Sequence, residues 1–338
     1  MPIRKKTSIY DIAAELNVSA STVSRALHDH PAISEAMKEK VRAKVLEMNY
    51  HPNHAAVTLK TGRVNTIAIV VPSINRNFFA SVIEGVEDVV YKLGYDLMIC
   101  KSSDNYKKEV QLIEKLSRGK VDGIIASLAA ETTDFSHYQN IISSKIPLVL
   151  FDRWTPLEGA GKVVSDDKHA SYMATKHLVD TGRRRIFHFA GDSNVSVWND
   201  RKSGYLEAMR DYRIEVGKDW IYTDTPCEQS GVEFAKKILA MKPEDRPDAI
   251  YSTGDYAAKG LLEELTRNDV RVPEDIAIVG YSNEPIDVLL RPTMTSVEQY
   301  GHKMGKAAAK MVIDAICGEP MSEHIIKSRL IIRESSMK

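Results

Sequence analysis

Two groups of residues in this sequence have types and spacings that suit binding chemistry. The first lies near the amino terminus, where Ala20, Ser21, Ser24 and Arg25 share one face of a helical projection. Small residues let a helix sit deep in the major groove of DNA. An arginine there can donate two hydrogen bonds to guanine, worth about 1–3 kcal/mol of discrimination. A plain three-helix bundle with an ordinary surface arginine would show the same periodicity, so the pattern alone leaves both interpretations open.

The second group follows segments that have the apolar pattern of β-strands. Ligands of open parallel sheets bind beyond the carboxyl ends of the strands, so side chains at these positions are candidates for a binding site. They are Asn75, Phe78, Phe79, Asp152, Arg153, Ser193, Trp198, Asn199, Arg201, Asp255, Ser282 and Asn283. Carboxylates, amides, arginines and aromatic rings together suit a polyol or sugar. Taken singly, each residue is also a reasonable helix cap or surface group, Asp255 especially.

The elements that must position the first group are three short helices. Ser8, Ser19 and Ser34 are predicted caps, because each precedes a run with helical periodicity. The inward faces are Ile9, Ile12, Ala13 and Leu16, then Val23, Ala26 and Leu27, then Met37, Val41, Val45 and Met48. Two short helices joined by a tight turn and locked by a third form a helix-turn-helix.

This stretch resembles the DNA-binding head of the lactose/galactose repressor (LacI–GalR) family. The matching segments are Thr7-Ser8-Ile9-Tyr10-Asp11-Ile12-Ala13-Ala14 and Val18-Ser19-Ala20-Ser21-Thr22-Val23-Ser24-Arg25-Ala26-Leu27. The resemblance implies DNA contacts from Thr7, Ser8, Ser19, Ala20, Ser21, Thr22, Ser24, Arg25 and His28, with base reading at Ala20, Ser21 and Arg25. His28 departs from the family, which usually has asparagine there.

Residues 51–63 separate this head from the rest of the chain. Pro52 can open a helix and Gly62 can close one, and a helix that short is marginal alone in water. A flexible linker is the alternative. The resemblance implies a hinge helix that folds in the minor groove against its twin from a second subunit, with contacts from Asn53, Ala56, Leu59 and Lys60. Leu59 matches the position that wedges between base pairs.

From residue 64 onward, strand-like and helix-like segments alternate. The predicted strands are residues 66–71, 95–100, 121–127, 146–151, 185–190, 220–223, 249–252 and 276–281, and helical stretches include 78–93, 169–181 and 231–239. This alternation predicts parallel sheets covered by helices. Residues 295–299 and 325–332 are expected to cross between two Rossmann-like lobes.

The expected fold is therefore an all-α helix-turn-helix head plus an α/β body that is similar to periplasmic binding proteins. The head spans residues 1–50, the hinge 51–63 and the body 64–338. One lobe is expected to comprise about 64–160 with crossovers in 295–325, and the other 161–294 with 326–338. The resemblance also implies effector contacts from Arg201, within Asn199-Asp200-Arg201-x-x-Gly204-Tyr205, and from Asp255 and Gln299. Ser282 replaces a family aspartate, for which Glu284 or Asp287 are candidate substitutes.

The composition fits such a protein. Residues 1–63 carry ten Lys and Arg against six Asp and Glu, whereas the remainder carries 36 against 40. A basic head on an acidic body fits a nucleic-acid contact, although a solvated surface is the simpler interpretation of the charge alone. The three cysteines have no metal-binding spacing and favour a reducing cytosol. No apolar segment suits a signal peptide or a membrane span.

We therefore expect a cytoplasmic, homodimeric transcription regulator of the repressor type, with no cofactor, no metal and no membrane partner. It would bind pseudo-palindromic double-stranded DNA with an affinity modulated allosterically by a small sugar-like effector. The alternatives are a sugar-binding protein and an α/β enzyme. Gly280-Tyr281-Ser282-Asn283-Glu284 lacks the last glycine of a nucleophile elbow. The sequence has no G-x-G-x-x-G after the first strand and no H-E-x-x-H, so an enzyme is disfavoured.

Overall fold

The computed structural model describes residues 7–50, 63–119, 121–192 and 194–337. The chain divides into two compact units, Met1–Val64 and Asn65–Lys338. In the described part of the first unit the helices are α1 (Ile9–Glu15), α2 (Ala20–Leu27) and α3 (Glu35–Glu47). These three helices begin directly after the predicted serine caps.

The core of the head is built from the predicted inward faces of the three helices. Ile12, Val23 and Val41 are completely buried, and Ala13 and Ala26 are nearly so. The turn between α1 and α2 passes through Asn17, whose φ of 52° lies in the left-handed region that asparagine tolerates. This turn sets α2 across α1, and α3 closes the small core beneath them.

The second unit contains two lobes, each organised around a parallel sheet. The strands of the first sheet are β1 (Thr66–Val71), β2 (Asp96–Lys101), β3 (Gly123–Ala126), β4 (Leu148–Phe151), β5 (Gly161–Ser165) and β11 (Glu323–Ile326). Their order across the sheet is β11-β5-β4-β3-β1-β2. Because helices cover both faces, the central strands are continuous apolar runs. In β1, for example, Ile67 through Val71 are all completely buried.

The second lobe is organised around a smaller sheet. Its strands are β6 (Ile186–Ala190), β7 (Ile221–Thr223), β8 (Ala249–Ser252) and β9 (Ala277–Val279). They lie in the order β7-β6-β8-β9 and are also parallel. A separate antiparallel pair, β10 (Ser296–Glu298) with β12 (Arg329–Ile331), lies beside β9 through a bridge between Val279 and Thr295.

Helices cover both sheets. They are α4 (Asn77–Val90), α5 (Tyr106–Ser117), α6 (Ser136–Ser143), α7 (Asp167–Asp180), α8 (Ser196–Asp211), α9 (Glu228–Leu239), α10 (Asp255–Arg267) and α11 (Gly301–Ile316). Short 3-10 turns occupy Tyr91–Leu93, Pro243–Asp245, Pro285–Val288 and Glu334–Ser336. In the described part of the chain, no helix combines the length and apolarity needed to span a bilayer.

The sequence-based lobe boundaries are wrong in two places. Gly161–Ser165 is not in the second lobe: it is β5, between β4 and β11 in the first sheet. Conversely, β10 packs with the second lobe, and the return to the first lobe begins only at α11. Residues 325–332 cross between the lobes as expected, because β11 belongs to the first sheet and β12 pairs with β10 beside the second. The chain therefore crosses between lobes three times.

Close helix packing depends on glycine at one crossing in the first lobe. A Cβ added to Gly305 in α11 would lie 2.1 Å from the carbonyl oxygen of Val82 in α4. These two helices therefore approach backbone to backbone, which fixes α4 over the sheet. The amino-terminal end of α4 carries Asn77 and Phe78 into the space between the lobes.

Candidate functional site

Helix α2 is anchored by a network of hydroxyl groups at its start. The Ser19 side chain accepts a hydrogen bond from the Thr22 backbone N–H at 3.1 Å, as an N-cap does. Its Oγ also lies 2.7 Å from the Ser21 Oγ and 2.8 Å from the Thr22 Oγ1. These contacts hold the first turn of α2 in a defined orientation and leave its outer face polar.

Fewer residues are exposed on the outer face of α2 than the sequence predicts. Ser21 and Arg25 are exposed, and Ser24 is half-buried. The prediction that Ala20 faces outward is only partly right, because it is half-buried and packs against the core of the head. His28 lies at the carboxyl end, where its Nδ1 is 2.7 Å from the Ser24 carbonyl oxygen.

The remaining predicted head residues have internal partners or lie outside the described residues. Thr7 donates from its Oγ1 to the Met48 carbonyl at 3.0 Å, joining the chain start to the end of α3. Ser8 forms a reciprocal capping box with Asp11. The predicted hinge contacts Asn53, Ala56, Leu59 and Lys60 lie outside the described residues, as does Ser193.

The largest group of predicted effector residues surrounds a cavity of about 320 Å³ between the two lobes. It lies past the carboxyl ends of strands from both sheets, and its volume is that of a small-molecule site. The predicted residues that line it are Phe78, Phe79, Asp152, Arg153, Trp198, Arg201, Asp255, Ser282 and Gln299. The sequence did not single out the lining residues Ser73, Arg76, Asp104, Glu131, Thr253 and Tyr256.

Three of the predicted residues are not part of this cavity. Asn75 is exposed and accepts a hydrogen bond from the Ser73 hydroxyl, in a more open depression next to the cavity. Asn199 is exposed and borders a smaller neighbouring pocket. Asn283 donates to Glu298 at 2.8 Å and accepts from Arg333 at 2.7 Å, so it ties the β9 loop to β10 and β12. The expectation that ligands bind beyond the carboxyl ends of strands therefore identifies the correct loops. It does not identify which side chain of each loop points into the cavity.

Arg201 lies in a buried network behind the cavity wall. Its Nε donates to Asp167 Oδ1 at 2.7 Å, and an amino group donates to the Thr253 carbonyl at 3.0 Å. The guanidinium carbon is 3.7 Å from the ring centroid of Tyr281, whose hydroxyl also donates to Asp167. Burial opposes the charge of Arg201, but the Asp167 carboxylate and the Tyr281 hydroxyl outweigh it and raise its pKa above the usual range.

Arg153 lines the cavity beside an aromatic neighbour. It makes an ion pair with Asp104, and its guanidinium carbon lies 5.2 Å from the ring of Trp198. A Cβ on Gly191 would lie 2.1 Å from the indole, so only glycine leaves room for this ring. The two arginines therefore reach the cavity already paired with carboxylates.

Asp152 differs from these paired groups. It is 5% exposed, lines the cavity directly after β4, and has no hydrogen-bond donor to its carboxylate among the described residues. Burial raises the pKa of Asp152 to about 6, although Arg153 and Arg201 oppose that effect. Within the described ranges of the chain, this buried carboxylate thus receives no hydrogen bond.

A second carboxylate cluster surrounds Asp255, the first residue of α10. Asp255 accepts from the Ser296 hydroxyl at 2.7 Å and from the Glu284 backbone N–H at 3.0 Å. Asp287 is completely buried beside it and faces no N–H or hydroxyl donor in the described part of the chain. Burial and then the neighbouring Asp255 charge raise the pKa of Asp287, so the pair retains a proton.

Ser282 replaces a family aspartate, and the positions of Glu284 and Asp287 show which of these two carboxylates reaches the cavity in its place. The Ser282 hydroxyl donates to Gln299 Oε1 at 3.0 Å on the cavity wall. Glu284 also lines the cavity and accepts at 3.3 Å from the backbone N–H of Asn77, at the start of α4 in the other lobe. Asp287 is not a lining residue. Of the two candidate substitutes, only Glu284 therefore presents a carboxylate to the cavity.

Comparison with known proteins adds two family matches. Residues 8–53 match the family described as bacterial regulatory proteins, lacI family. Residues 175–336 match a periplasmic binding protein-like domain. The chain is 32% identical to the HTH-type transcriptional repressor PurR of Photobacterium profundum, over 97% of this chain and 98% of that one.

Two solved structures share the architecture. The transcriptional regulator CelR in its cellobiose complex has 27% identity and a TM-score of 0.74, covering 98% of this chain and 100% of that one. The lac repressor dimer bound to operator and the anti-inducer ONPF has a TM-score of 0.88 over 99% of this chain and 100% of that one. At 19% identity, the second comparison bears on the fold alone.

Proposed function

Because the chain belongs to the lacI family of bacterial regulatory proteins, we propose that α2 reads operator DNA and that the interlobe cavity binds the controlling effector. The chain is a transcriptional repressor with an effector-binding domain, and not an enzyme. The proposal concerns which residues carry these two activities. We also propose that the protein acts in the cytoplasm, where its DNA partner is and where its free cysteines stay reduced.

The observation that carries the DNA proposal is the outer face of α2. Ser21 and Arg25 are exposed on a helix whose first turn is held by the Ser19 cap. Arg25 is then free to reach guanine O6 and N7, and the small Ser21 lets the helix approach the base edges. Ala20 is assigned at most a methyl contact, since it is half-buried. The hinge residues, Leu59 above all, remain part of the proposal on the resemblance alone.

Selection of bound duplexes from a random library, followed by gel shift of the full chain, tests this proposal. We expect a pseudo-palindromic consensus with two half-sites, because a two-fold dimer presents two α2 helices. A consensus with one half-site, or no enrichment above the library, would contradict it.

A second copy of the chain is the proposed partner for one edge of the first lobe. β2 is the edge strand of its sheet, and it exposes Met98 and Ile99. Tyr91 and Leu93, which precede it, are 78% and 55% exposed. A sheet edge that is unpaired in the described chain, with exposed apolar side chains along it, is unfavourable in water and favours association.

Light scattering of Ile99→Asp tests this face. In a two-fold interface the substitution is present in both subunits, so two charges would be buried together and would oppose association. We therefore expect the Ile99→Asp protein to have the mass of a monomer. Ile332→Asp, a similar change of a half-exposed residue in the second lobe, is the matched control and should keep the dimer. A dimeric Ile99→Asp protein would refute this assignment of the interface.

The effector proposal rests on the cavity itself, which gathers carboxylates, arginines and aromatic rings from both lobes. Hydroxylated ligands use such groups, and the CelR relative was solved with cellobiose. A ligand that contacts both lobes prefers one lobe arrangement, and a preference of about 1–3 kcal/mol is enough to change operator affinity. Thermal-shift screening of sugars and their derivatives, with gel shift of each stabilising compound, tests this proposal.

A further inference from the structure

The charged side chains that line the cavity differ in whether they are paired with an opposite charge. Two of its arginines already hold a carboxylate: Arg153 pairs with Asp104, and Arg201 pairs with Asp167 at 2.7 Å. Each of these pairs contributes little net charge to the cavity. They reduce the attraction that the arginines would otherwise exert on an anionic ligand.

The third lining arginine is also engaged. The Arg76 guanidinium carbon lies 4.1 Å from the ring centroid of Tyr256. Its charge also interacts with the carboxylate of Glu284. Glu284 and Asp255 bring further negative charge from the second lobe, and Glu131 brings more from the first. Carboxylates therefore outnumber the positive charges that face the cavity.

Asp152 is the carboxylate that this arrangement compensates only in part, because Arg153 and Arg201 act on it but are each paired with another carboxylate. It is only 5% exposed, and its oxygens have no hydrogen-bond donor among the described residues. Burying an ionised carboxylate without a partner is costly, and a cation supplied by a ligand would remove that cost. The Trp198 ring also lines the cavity, but the Arg153 guanidinium already lies 5.2 Å from it, so Asp152 is the group to which a ligand cation is assigned.

We propose that the effector carries a protonated amine on a hydroxylated frame, as an amino sugar does, and that Asp152 binds the ammonium group. This inference rests on the proposed effector site and names the chemical class of its ligand. An anionic ligand, such as a sugar acid or sugar phosphate, would instead place a second negative charge beside Asp152. The neighbouring carboxylates of the wall and the amide of Gln299 then serve the hydroxyl groups.

Matched pairs of ligands test the inference by calorimetry on the full chain near neutral pH. The pairs are D-glucose with D-glucosamine, D-galactose with D-galactosamine, D-mannose with D-mannosamine, and cellobiose with the β-1,4-linked disaccharide of glucosamine. We expect at least one amine to bind more than about tenfold more tightly than its hydroxyl partner, which corresponds to about 1.4 kcal/mol. N-acetylation of that amine should abolish the advantage.

The variant Asp152→Asn tests the assigned residue. It should reduce the amine preference to within about twofold while the hydroxyl partner keeps its affinity, because asparagine keeps the shape and removes the charge. Asp219→Asn, at an exposed carboxylate of the second lobe, is the matched control and should keep the preference.

Three results would overturn the inference: equal or tighter binding of the hydroxyl or acid forms, no binding by any amine of the panel, or a preference that persists in Asp152→Asn. Operator gel shift separates these outcomes from failure of the proposed function. If a neutral sugar alters operator affinity and no amine binds, only the ligand class is wrong. If the full chain selects no operator at all, the proposed function itself fails.

Discussion

Replacing Asp152 by asparagine should stabilise the ligand-free body at neutral pH. Burial raises the pKa of this carboxyl from 3.8 to about 6, against the opposing charges of Arg153 and Arg201, while Asp167 and Asp104 add to the rise. Each pH unit between the two values corresponds to about 1.4 kcal/mol. The ionised form therefore costs the folded state about 3 kcal/mol, which asparagine, being neutral, does not incur.

The sign of the pH dependence follows from the direction of that pKa change. Below about pH 4 the carboxyl is protonated in both the folded and the unfolded chain, so the substitution gains nothing. Between about pH 4 and pH 6 the folded state binds more protons than the unfolded state, and wild-type stability falls as the pH rises. Above about pH 6 the full cost is present, and the advantage of asparagine is constant.

Thermal unfolding followed by tryptophan fluorescence measures this difference. All three tryptophans, Trp154, Trp198 and Trp220, lie in the body, so the signal does not report on the head. A body of this size should gain roughly 2–4 °C in Tm per kcal/mol. We expect a rise of about 6–12 °C at pH 7.5 that shrinks towards zero near pH 4. No rise at pH 7.5, or the same rise at both pH values, would refute the reasoning, and the exposed Asp219→Asn should show neither.

Three further substitutions have outcomes that the structure predicts. Arg25→Ala should weaken operator binding by about 1–3 kcal/mol while leaving salt-dependent non-specific binding, as gel shifts at several salt concentrations would measure; unchanged operator affinity would exclude the groove assignment. Gly305→Ala should destabilise the first lobe by about 1–3 kcal/mol, because its Cβ would lie 2.1 Å from the Val82 carbonyl; urea unfolding with a wild-type midpoint would contradict that packing. Arg201→Ala should cost about 3–5 kcal/mol in the same assay, because it leaves Asp167 buried and unpaired; a neutral effect would show that the ion pair has no structural role.

The helices of the head were predictable because each has a local signal at its start and a regular apolar face. Ser19 caps α2, and the apolar residues of the helix recur at helical spacing, so the predicted start and inward face agree with the structure. The half-burial of Ala20 was not predictable in this way. As the first helical residue it lies over the junction with α1, and its exposure depends on how two helices cross and not on the periodicity of one.

Strand β5 was missed because its residues carry no local strand signal. Gly161–Ser165 contains a glycine and Lys162, so it lacks the apolar run of an interior strand. In the structure the Lys162 ammonium lies 3.2 Å from the ring centroid of Trp154 and 2.8 Å from a Glu323 carboxylate oxygen. The lysine is tolerated in the sheet because of these two partners from other segments, which no pattern along the chain reveals.

Asp255 illustrates how far strand-end reasoning reaches at the effector site. Its position after β8 predicted a choice between helix start and ligand contact, and in the structure it is the first residue of α10 and also lines the cavity. What could not be foreseen is its bond to Ser296 in β10, the strand from which the chain returns to the first lobe. A ligand hydroxyl bound to Asp255 competes for the same carboxylate that holds this crossover. Asp255 therefore joins the cavity wall to the segment through which the chain returns to the first lobe.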